Sequence, residues 1–258
     1  MHYQYILFDL DGTITESGPG IMNSVRYAVQ KMGFPELPKE TLRKFVGPPL
    51  ADSMQKYCGM TPAEAKEGIA CYREYYTSKG IFENSLYPGV EDMLKRLQKG
   101  GKILALATSK PEQFAKQILE YFHIDDCFTV VCGASMDEKL VEKAAIITCA
   151  LQALGIDEAQ KKDVLMVGDR EHDVLGAKAN GLDALGVLYG YGNLAELKDA
   201  GAAYIARTAE EAADMILAES QETSEPLFAE PQESSVSSLS ESQETPGPSP
   251  AESEELPR

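Results

Sequence analysis

The feature that most constrains the fold is a regular alternation of short apolar runs with helix-forming segments. Most apolar runs are followed by a stretch with helical periodicity, and several of these end at a glycine or asparagine. Strands buried on both faces have this character, because helices cover both sides of a parallel sheet. The pattern predicts an α/β fold with a doubly wound, Rossmann-like parallel sheet. The expected strands are residues 5–10, 103–107, 129–132, 164–167, 184–188 and 204–206, and the expected helices between them are 90–99, 111–122, 139–154, 174–180 and 210–219.

One interval breaks this alternation. Residues 16–84 contain no convincing strand, and Tyr87-Pro88-Gly89 then restarts the strand and helix rhythm. We therefore predict an all-helical insert at residues 16–85, joined by hinges near Thr15 and Leu86 to a core of residues 1–15 and 86–218. A single domain without hinges is the alternative. The helical patterns of the insert cover residues 21–32, 39–44, 51–57 and 62–79.

The composition changes after residue 218. Residues 221–258 contain nine glutamates and one basic residue, with repeated serine and proline and few large apolar side chains. Such a segment buries too little apolar surface to offset the entropy of ordering it, so we predict a disordered acidic tail at residues 219–258. Residues 221–258 carry −8 of the formal net charge of −17 and leave about −9 on residues 1–220. This acidity argues against nucleic acid and anionic membranes as partners, since both require a positive surface.

The remaining composition indicates a cytoplasmic protein. No apolar run approaches the roughly 18 residues that a membrane span requires. A cleaved signal peptide is not expected either, because its removal would take away the acidic motif that follows the first strand. The five cysteines are widely spaced and contain no CxxC pair, which favours reduced thiols over disulfides or a zinc site.

The first predicted strand ends in closely spaced acidic side chains. Asp9 and Asp11 stand two residues apart in Phe8-Asp9-Leu10-Asp11-Gly12-Thr13. Ligands of open α/β sheets bind at the carboxyl ends of the strands, so both carboxylates are expected at the binding edge. Two carboxylates this close repel each other unless a cation or a phosphate reaction uses them. For this motif alone, a solvated turn before Gly12 is the structural alternative.

Two further strand ends carry polar groups that suit a phosphorylated ligand. Thr108 and Ser109 offer hydroxyl and amide donors, although Ser109 with Glu112 also matches a helix capping box. Asp169 and Asp173 follow another strand, where they could instead cap the next helix. Carboxylates of this kind suit Mg²⁺, which binds a few of them together with substrate oxygens and water. Found together, the three strand ends indicate one shared site.

These motifs resemble those of the haloacid dehalogenase-like hydrolase superfamily, in its phosphoglycolate phosphatase-like branch. The resemblance covers residues 3–218. It implies that Asp9 is the nucleophile and that Asp11 is the general acid and base. It also implies a Mg²⁺ ion held by Asp9, by the backbone carbonyl of Asp11 and by Asp169, with Asp173 supporting these ligands from the second layer.

The same resemblance implies the phosphate contacts and the role of the insert. Thr108, Ser109 and a lysine would bind the phosphoryl oxygens. The lysine is assigned to Lys143, which enters an apolar helix, and Lys139 is the alternative. The insert resembles the helical, type C1 cap of this branch, and residues 45–50, with a glycine and paired prolines, resemble its substrate-facing loop.

The function implied is that of a Mg²⁺-dependent phosphatase working through an aspartyl-phosphate. Its expected partner is a small phosphorylated metabolite, such as phosphoglycolate or a nucleoside monophosphate. A phosphosugar mutase and a pyrophosphatase share the same motifs and stay open as alternatives. From another class, the chain could be a non-catalytic module that recruits a basic partner through its acidic tail, but the presence of both Asp9 and Asp11 disfavours this.

Overall fold

The central feature of the protein is a parallel sheet. The computed structural model describes residues 1–136 and 142–218, and six of its segments form one sheet in which every neighbouring pair is parallel. The order is β3-β2-β1-β4-β5-β6, so the chain builds outward from β1 in one direction and then in the other. The predicted doubly wound α/β core is confirmed. The strands are β1 (Tyr5–Phe8), β2 (Ile103–Pro111), β3 (Val130–Ala134), β4 (Val164–Gly168), β5 (Asp183–Val187) and β6 (Tyr204–Ala206).

Four α-helices lie within residues 16–84, between β1 and the first helix that packs on the sheet. Described residues 16–84 contain no strand, as predicted. The longest of these helices begins with a capping box, in which Thr61 accepts a hydrogen bond from the Glu64 N–H and the Glu64 carboxylate accepts one from the Thr61 N–H. The helices are α1 (Gly18–Lys31), α2 (Lys39–Arg43), α3 (Leu50–Cys58) and α4 (Pro62–Ser78).

The remaining helices cover both faces of the sheet. The side chains of Ile6, Leu7 and Phe8 in β1 are fully buried between these layers, which explains the continuous apolar run of the strand. One helix was not predicted from the sequence, the short segment that Asn193 caps by accepting a hydrogen bond from the Glu196 N–H. The helices are α5 (Val90–Lys99), α6 (Glu112–Tyr121), α7 (Lys143–Ala153), α8 (Glu171–Ala179), α9 (Leu194–Ala200) and α10 (Ala209–Leu217).

The two connections to the helical insert run side by side. Thr15 and Leu86 form an antiparallel bridge, and the Glu16 N–H donates to the Ser85 carbonyl at 2.8 Å. Both crossings therefore lie near the end of β1, where the sequence predicts the hinges. The insert and the sheet pack into one compact unit, so the separate helical domain stays a prediction.

Two boundaries differ from the sequence-based expectation in ways that matter for the site. The second strand runs on to Pro111 instead of ending at residue 107, with a register shift against β3 between Thr108 and Pro111. Helix α7 begins at Lys143, while the start predicted for it at residue 139 lies outside the described residues, as does the predicted acidic tail. Among the described helices, none is long and apolar enough to cross a bilayer.

Candidate active site

The predicted site residues meet at the carboxyl ends of the central strands. Strand β1 lies between β2 and β4, at the point where the order of the sheet reverses. Crevices at such reversal points are where open α/β sheets bind ligands. Asp9 follows β1, Thr108 lies in β2, and Asp169 follows β4. The side chains from the three strand ends therefore lie next to one another, as the sequence predicts.

The centre of the site is a cluster of three buried carboxylates. One oxygen from each of Asp9, Asp169 and Asp173 lies within 4.8 Å of the other two, and the residues are 8%, 0% and 2% exposed. Burial, and then the nearby charges of Asp173 and Asp9, raise the pKa of Asp169 well above its ordinary value. Asp173 lies in this cluster, and its predicted role in supporting the metal ligands stays a prediction.

The ammonium group of Lys143 lies against this cluster. The Lys143 Nζ is 2.8 Å from the Asp9 Oδ1 and 2.8 Å from the Asp173 Oδ1, and it donates to the Ala107 carbonyl at 3.0 Å. Burial alone would lower the lysine pKa, but the two carboxylates raise it above its ordinary value, so Lys143 is cationic. A Cβ on Gly176 would lie 2.7 Å from the Lys143 Cγ, so the glycine in α8 makes room for this side chain.

Backbone groups fix the orientation of Asp169. Its Oδ2 accepts a hydrogen bond of 2.7 Å from the Tyr191 N–H, in the loop after β5. Gly12 has a φ of +94°, and a Cβ there would lie 2.2 Å from the same oxygen. A Cβ on Gly190 would lie 2.2 Å from the Gly12 carbonyl. The sequence analysis does not identify the loop from 189 to 192 as part of the site. Its alternating tyrosines and glycines are nevertheless a signal of close backbone packing.

Asp11 stands apart from the carboxylate cluster. Its Oδ2 accepts a hydrogen bond of 2.8 Å from the Nζ of Lys110, and both side chains are buried. Burial opposes the charge on Lys110, but the neighbouring Asp11 carboxylate raises the lysine pKa above its ordinary value. Lys110 was not selected from the sequence as a site residue. The only available signal was its position directly after Thr108 and Ser109 at a strand end.

Thr108 and Ser109 lie on the strand and not at a helix start. Helix α6 begins at Glu112 with Pro111 as its N-cap and no side-chain capping bond, so the capping box considered for Ser109 is not formed. The Thr108 hydroxyl accepts a hydrogen bond of 3.2 Å from the Lys110 N–H. Thr108 and Ser109 line a small cavity of about 20 Å³. Its other lining residues are Asp9, Asp11, Gly47, Lys110, Lys143, Arg170, His172 and Asp173.

Arg170 is a second side chain at this cavity that the sequence did not single out. Its Nε donates to the Glu196 Oε1 at 2.7 Å, and its Nη1 donates to the Val46 carbonyl at 3.4 Å. Val46 belongs to the helical insert, so Arg170 links the loop after β4 to the insert. Its charge is compensated by Glu196 on α9.

A larger cavity of about 310 Å³ adjoins the small cavity, and four residues line both cavities. Most of its remaining wall is apolar or aromatic. The helical insert contributes much of this wall, including the Gly47-Pro48-Pro49 turn and the stacked rings of Tyr72 and Tyr76. The shared residues are Asp11, Gly47, Ser109 and Lys110.

The carboxylate cluster has the donors and the charge that a divalent cation requires. Asp9, Asp169 and Asp173 bring three carboxylates, and among the described residues Lys143 is the one ammonium group in contact with Asp9 and Asp173. A buried excess of negative charge is costly unless a cation compensates it or a carboxylate binds a proton. Hard oxygen ligands favour Mg²⁺ or a similar ion over softer metals. The residues present therefore fit a divalent metal site.

Comparison with known proteins identifies the family of the chain. The model of the family described as haloacid dehalogenase-like hydrolase matches residues 6–187. A 5'-nucleotidase of Pseudomonas aeruginosa is 37% identical over 198 residues, which cover 77% of this chain and 88% of that protein. A phosphoglycolate phosphatase of Aliivibrio fischeri is 31% identical over 204 residues, covering 76% of this chain and 88% of that protein.

Two further similarities are informative. The tyrosine-protein kinase PtkA of Mycobacterium tuberculosis is 39% identical over 189 residues, covering 73% of this chain but only 63% of the longer relative. Among solved structures, a protein described as a predicted phosphatase from Clostridium acetobutylicum is 44% identical. The two structures superimpose with a TM-score of 0.79, and the superposition covers 83% of this chain and 98% of the Clostridium acetobutylicum chain.

The fold and the site thus define a hydrolase that places acidic residues at the reversal point of a parallel sheet. The chain belongs to the haloacid dehalogenase-like hydrolase family, in its phosphoglycolate phosphatase-like branch. It is a phosphoric monoester hydrolase of that family.

Proposed function

We propose that this chain is a Mg²⁺-dependent phosphatase of small phosphomonoesters that works through an aspartyl-phosphate on Asp9. The observation that best supports the proposal is the position of Asp9. It lies between a buried ammonium group and two further carboxylates, at the edge of a sheet where ligands bind. A nucleophilic carboxylate needs positive charge nearby, because its attack on a phosphate dianion brings like charges together, and here the ammonium group and a metal ion held by the carboxylates would supply it.

In the first step, an Asp9 oxygen would form a bond to phosphorus while the bond from phosphorus to the leaving oxygen breaks. The proton that the leaving alkoxide needs would come from the Asp11 carboxyl group. In the second step, water would attack phosphorus, the Asp9–phosphorus bond would break, and Asp11 would take the proton of the water. Lys143, Thr108 and Ser109 would hold the phosphoryl oxygens.

Asp9, Asp169 and the backbone carbonyl of Asp11 would hold the metal ion, and Asp173 would fix their arrangement. When bound, Mg²⁺ would neutralise part of the charge on the phosphoryl group and on the nucleophile. The buried excess of carboxylates over ammonium groups supports this assignment. The Tyr191 N–H would keep Asp169 oriented, since it already donates to that carboxylate at 2.7 Å.

We further propose that the leaving group is larger than glycolate and includes a ring. The cavity beside Asp11 has a volume of about 310 Å³, within the range of small-molecule sites, and a two-carbon acid would leave most of it empty. Its aromatic wall includes the stacked Tyr72 and Tyr76 rings. A nucleoside suits such a wall, and one relative is described as a 5'-nucleotidase. The helical insert would act as the cap that covers this leaving group and excludes water.

The test is phosphate release from a panel of nucleoside 5'-monophosphates, sugar phosphates and phosphoglycolate. Each substrate is assayed with Mg²⁺, with a metal chelator and with Asp9→Asn. We expect turnover that requires Mg²⁺, a kcat/KM for nucleoside monophosphates above that for phosphoglycolate, and loss of turnover in the variant. Activity that survives Asp9→Asn would refute the nucleophile, and a preference for phosphoglycolate would refute the assignment of the leaving group.

The similarity to PtkA supports a second candidate, a kinase that passes the phosphoryl group to a tyrosine. The two candidates differ in the acceptor of the aspartyl-phosphate, which is water in one and a phenol in the other. Incubation with γ-labelled ATP and a tyrosine peptide distinguishes them, because a phosphatase releases free phosphate and leaves the peptide unlabelled. A labelled peptide, absent with Asp9→Asn, would favour the kinase.

A further inference from the structure

We propose that Lys110 is a positioning residue of the reaction, which holds Asp11 so that one of its oxygens faces the leaving group. This role rests on the proposed function, in which Asp11 is the general acid. The Lys110 Nζ contacts the Asp11 Oδ2 at 2.8 Å, with only 5% and 10% of the two side chains exposed. The other oxygen, Oδ1, is buried and has no hydrogen-bond partner among the described residues. Lys110 thus holds one oxygen, and no described protein group competes with a leaving oxygen for the other.

The location of the pair matches this role. Asp11 and Lys110 line both the small cavity beside Asp9 and the larger cavity assigned to the leaving group. A proton passed from Asp11 to a leaving oxygen must cross the boundary between these two spaces. The Lys110 ammonium also lies 5.1 Å from the centre of the Tyr76 ring, in helix α4 of the insert. The ammonium is therefore held from two sides.

The fold builds this position with an irregularity in a strand. The register of β2 against β3 shifts between Thr108 and Pro111, and such bulges change the direction in which a side chain points. Gly133 in β3 lies opposite the irregularity. A Cβ there would come within 2.6 Å of both the Lys110 carbonyl oxygen and the Glu112 Cα. The absent side chain at residue 133 thus permits the backbone path that directs Lys110 at Asp11.

Stability alone gives little reason for this pair. Buried ion pairs often contribute no more to stability than well-packed apolar side chains of similar volume, because both charges must be desolvated. A competing chemical role is that Lys110 binds the phosphoryl oxygens directly, as proposed for Lys143. The two roles differ in their dependence on the leaving group. Asp11 matters most when the leaving oxygen is a poor one, whereas a phosphoryl contact matters for every substrate.

The experiment compares kcat/KM for p-nitrophenyl phosphate, whose phenolate leaves without a proton, with that for an alkyl phosphate, whose alkoxide requires one. For Lys110→Met we expect a loss on the order of 10²-fold with the alkyl phosphate, as for a misplacement of about 1 Å, and a loss of only a few-fold with p-nitrophenyl phosphate. Lys110→Arg should recover much of the alkyl phosphate activity. The matched control is Lys116→Met, since Lys116 is exposed on α6. Equal losses on both substrates would overturn the role.

A second comparison is independent of whether Lys110→Met folds well, because it removes both buried charges together. Asp11→Asn is compared with the double variant Asp11→Asn, Lys110→Met. If Lys110 acts through Asp11, the second substitution changes kcat/KM by less than about three-fold; a further loss on the order of 10²-fold would show an independent role and overturn the inference. If the unsubstituted protein releases phosphate from neither substrate, the proposed function itself has failed.

Discussion

Replacing Lys143 with methionine tests the charge arrangement of the site most directly. The substitution keeps the length of the buried side chain and removes the ammonium group that contacts Asp9 and Asp173 at 2.8 Å. Removing one partner of a buried ion pair costs about 3–5 kcal/mol, because the remaining charges are left uncompensated. A domain of this size loses about 2–4 °C in Tm for each kcal/mol. We therefore expect Tm without metal to fall by about 6–20 °C.

Magnesium should offset part of this loss. The cluster of Asp9, Asp169 and Asp173 becomes more negative when Lys143 is replaced, so a divalent cation should raise Tm more in the variant than in the unsubstituted protein. The assay is thermal unfolding with chelator and with saturating Mg²⁺, using Lys116→Met on the protein surface as the control. Two results would refute the reasoning: a metal-free Tm within about 2 °C of the unsubstituted protein, or a smaller effect of Mg²⁺ in the variant.

Three further predictions follow from the geometry around the cluster. Gly12→Ala should weaken Mg²⁺ binding by about 10–100-fold in calorimetric titration, since the new Cβ would lie 2.2 Å from the Asp169 carboxylate at a φ of +94°; an unchanged affinity would contradict this. The Tm increase caused by Mg²⁺ should grow as pH rises above the ordinary pKa of an aspartate side chain. Because the pKa of Asp169 is raised in the fold, protonated Asp169 stabilises the metal-free protein fully below the ordinary pKa, and this stabilisation is lost as pH rises through the raised pKa. Mg²⁺ binds the ionised carboxylate, so its stabilising effect grows over the same range. A Tm increase that does not change with pH would contradict this explanation. Gly133→Ala should lower kcat/KM for alkyl phosphates more than for p-nitrophenyl phosphate, because it displaces the backbone of Lys110, and equal effects on both would count against that explanation.

The sequence was sufficient for the parts of the fold that depend on local patterns. Each predicted strand is present, because a strand buried on both faces must be apolar at every position, as in β1. The acidic residues that follow β1 and β4 were expected to meet, since parallel strands bring their carboxyl ends to one edge. Helix α9 was missed because it is only seven residues long and gives a weak periodic signal.

The contacts within the site could not be predicted in the same way. The bond between Asp11 and Lys110 joins residues 99 positions apart and depends on a register shift in β2 that no local pattern indicated. The hydrogen bond from the Tyr191 N–H to Asp169 depends on the path of a loop after β5. Both are consequences of close backbone packing, in which glycines such as Gly133 and Gly190 leave space that the sequence alone does not assign to a neighbour.

The two buried lysines divide the site into halves with different charge balance. In one half, the three carboxylates of Asp9, Asp169 and Asp173 exceed the ammonium group of Lys143, counted over residues 1–136 and 142–218, and this excess supports a metal site. In the other half, Asp11 is matched by Lys110, so its carboxylate has no need of a second cation. This balance favours Asp11 offering the metal its backbone carbonyl and keeping its side chain for proton transfer. In the proposed mechanism, the positions of the two ammonium groups would therefore decide which carboxylates a metal ion neutralises and which one transfers a proton.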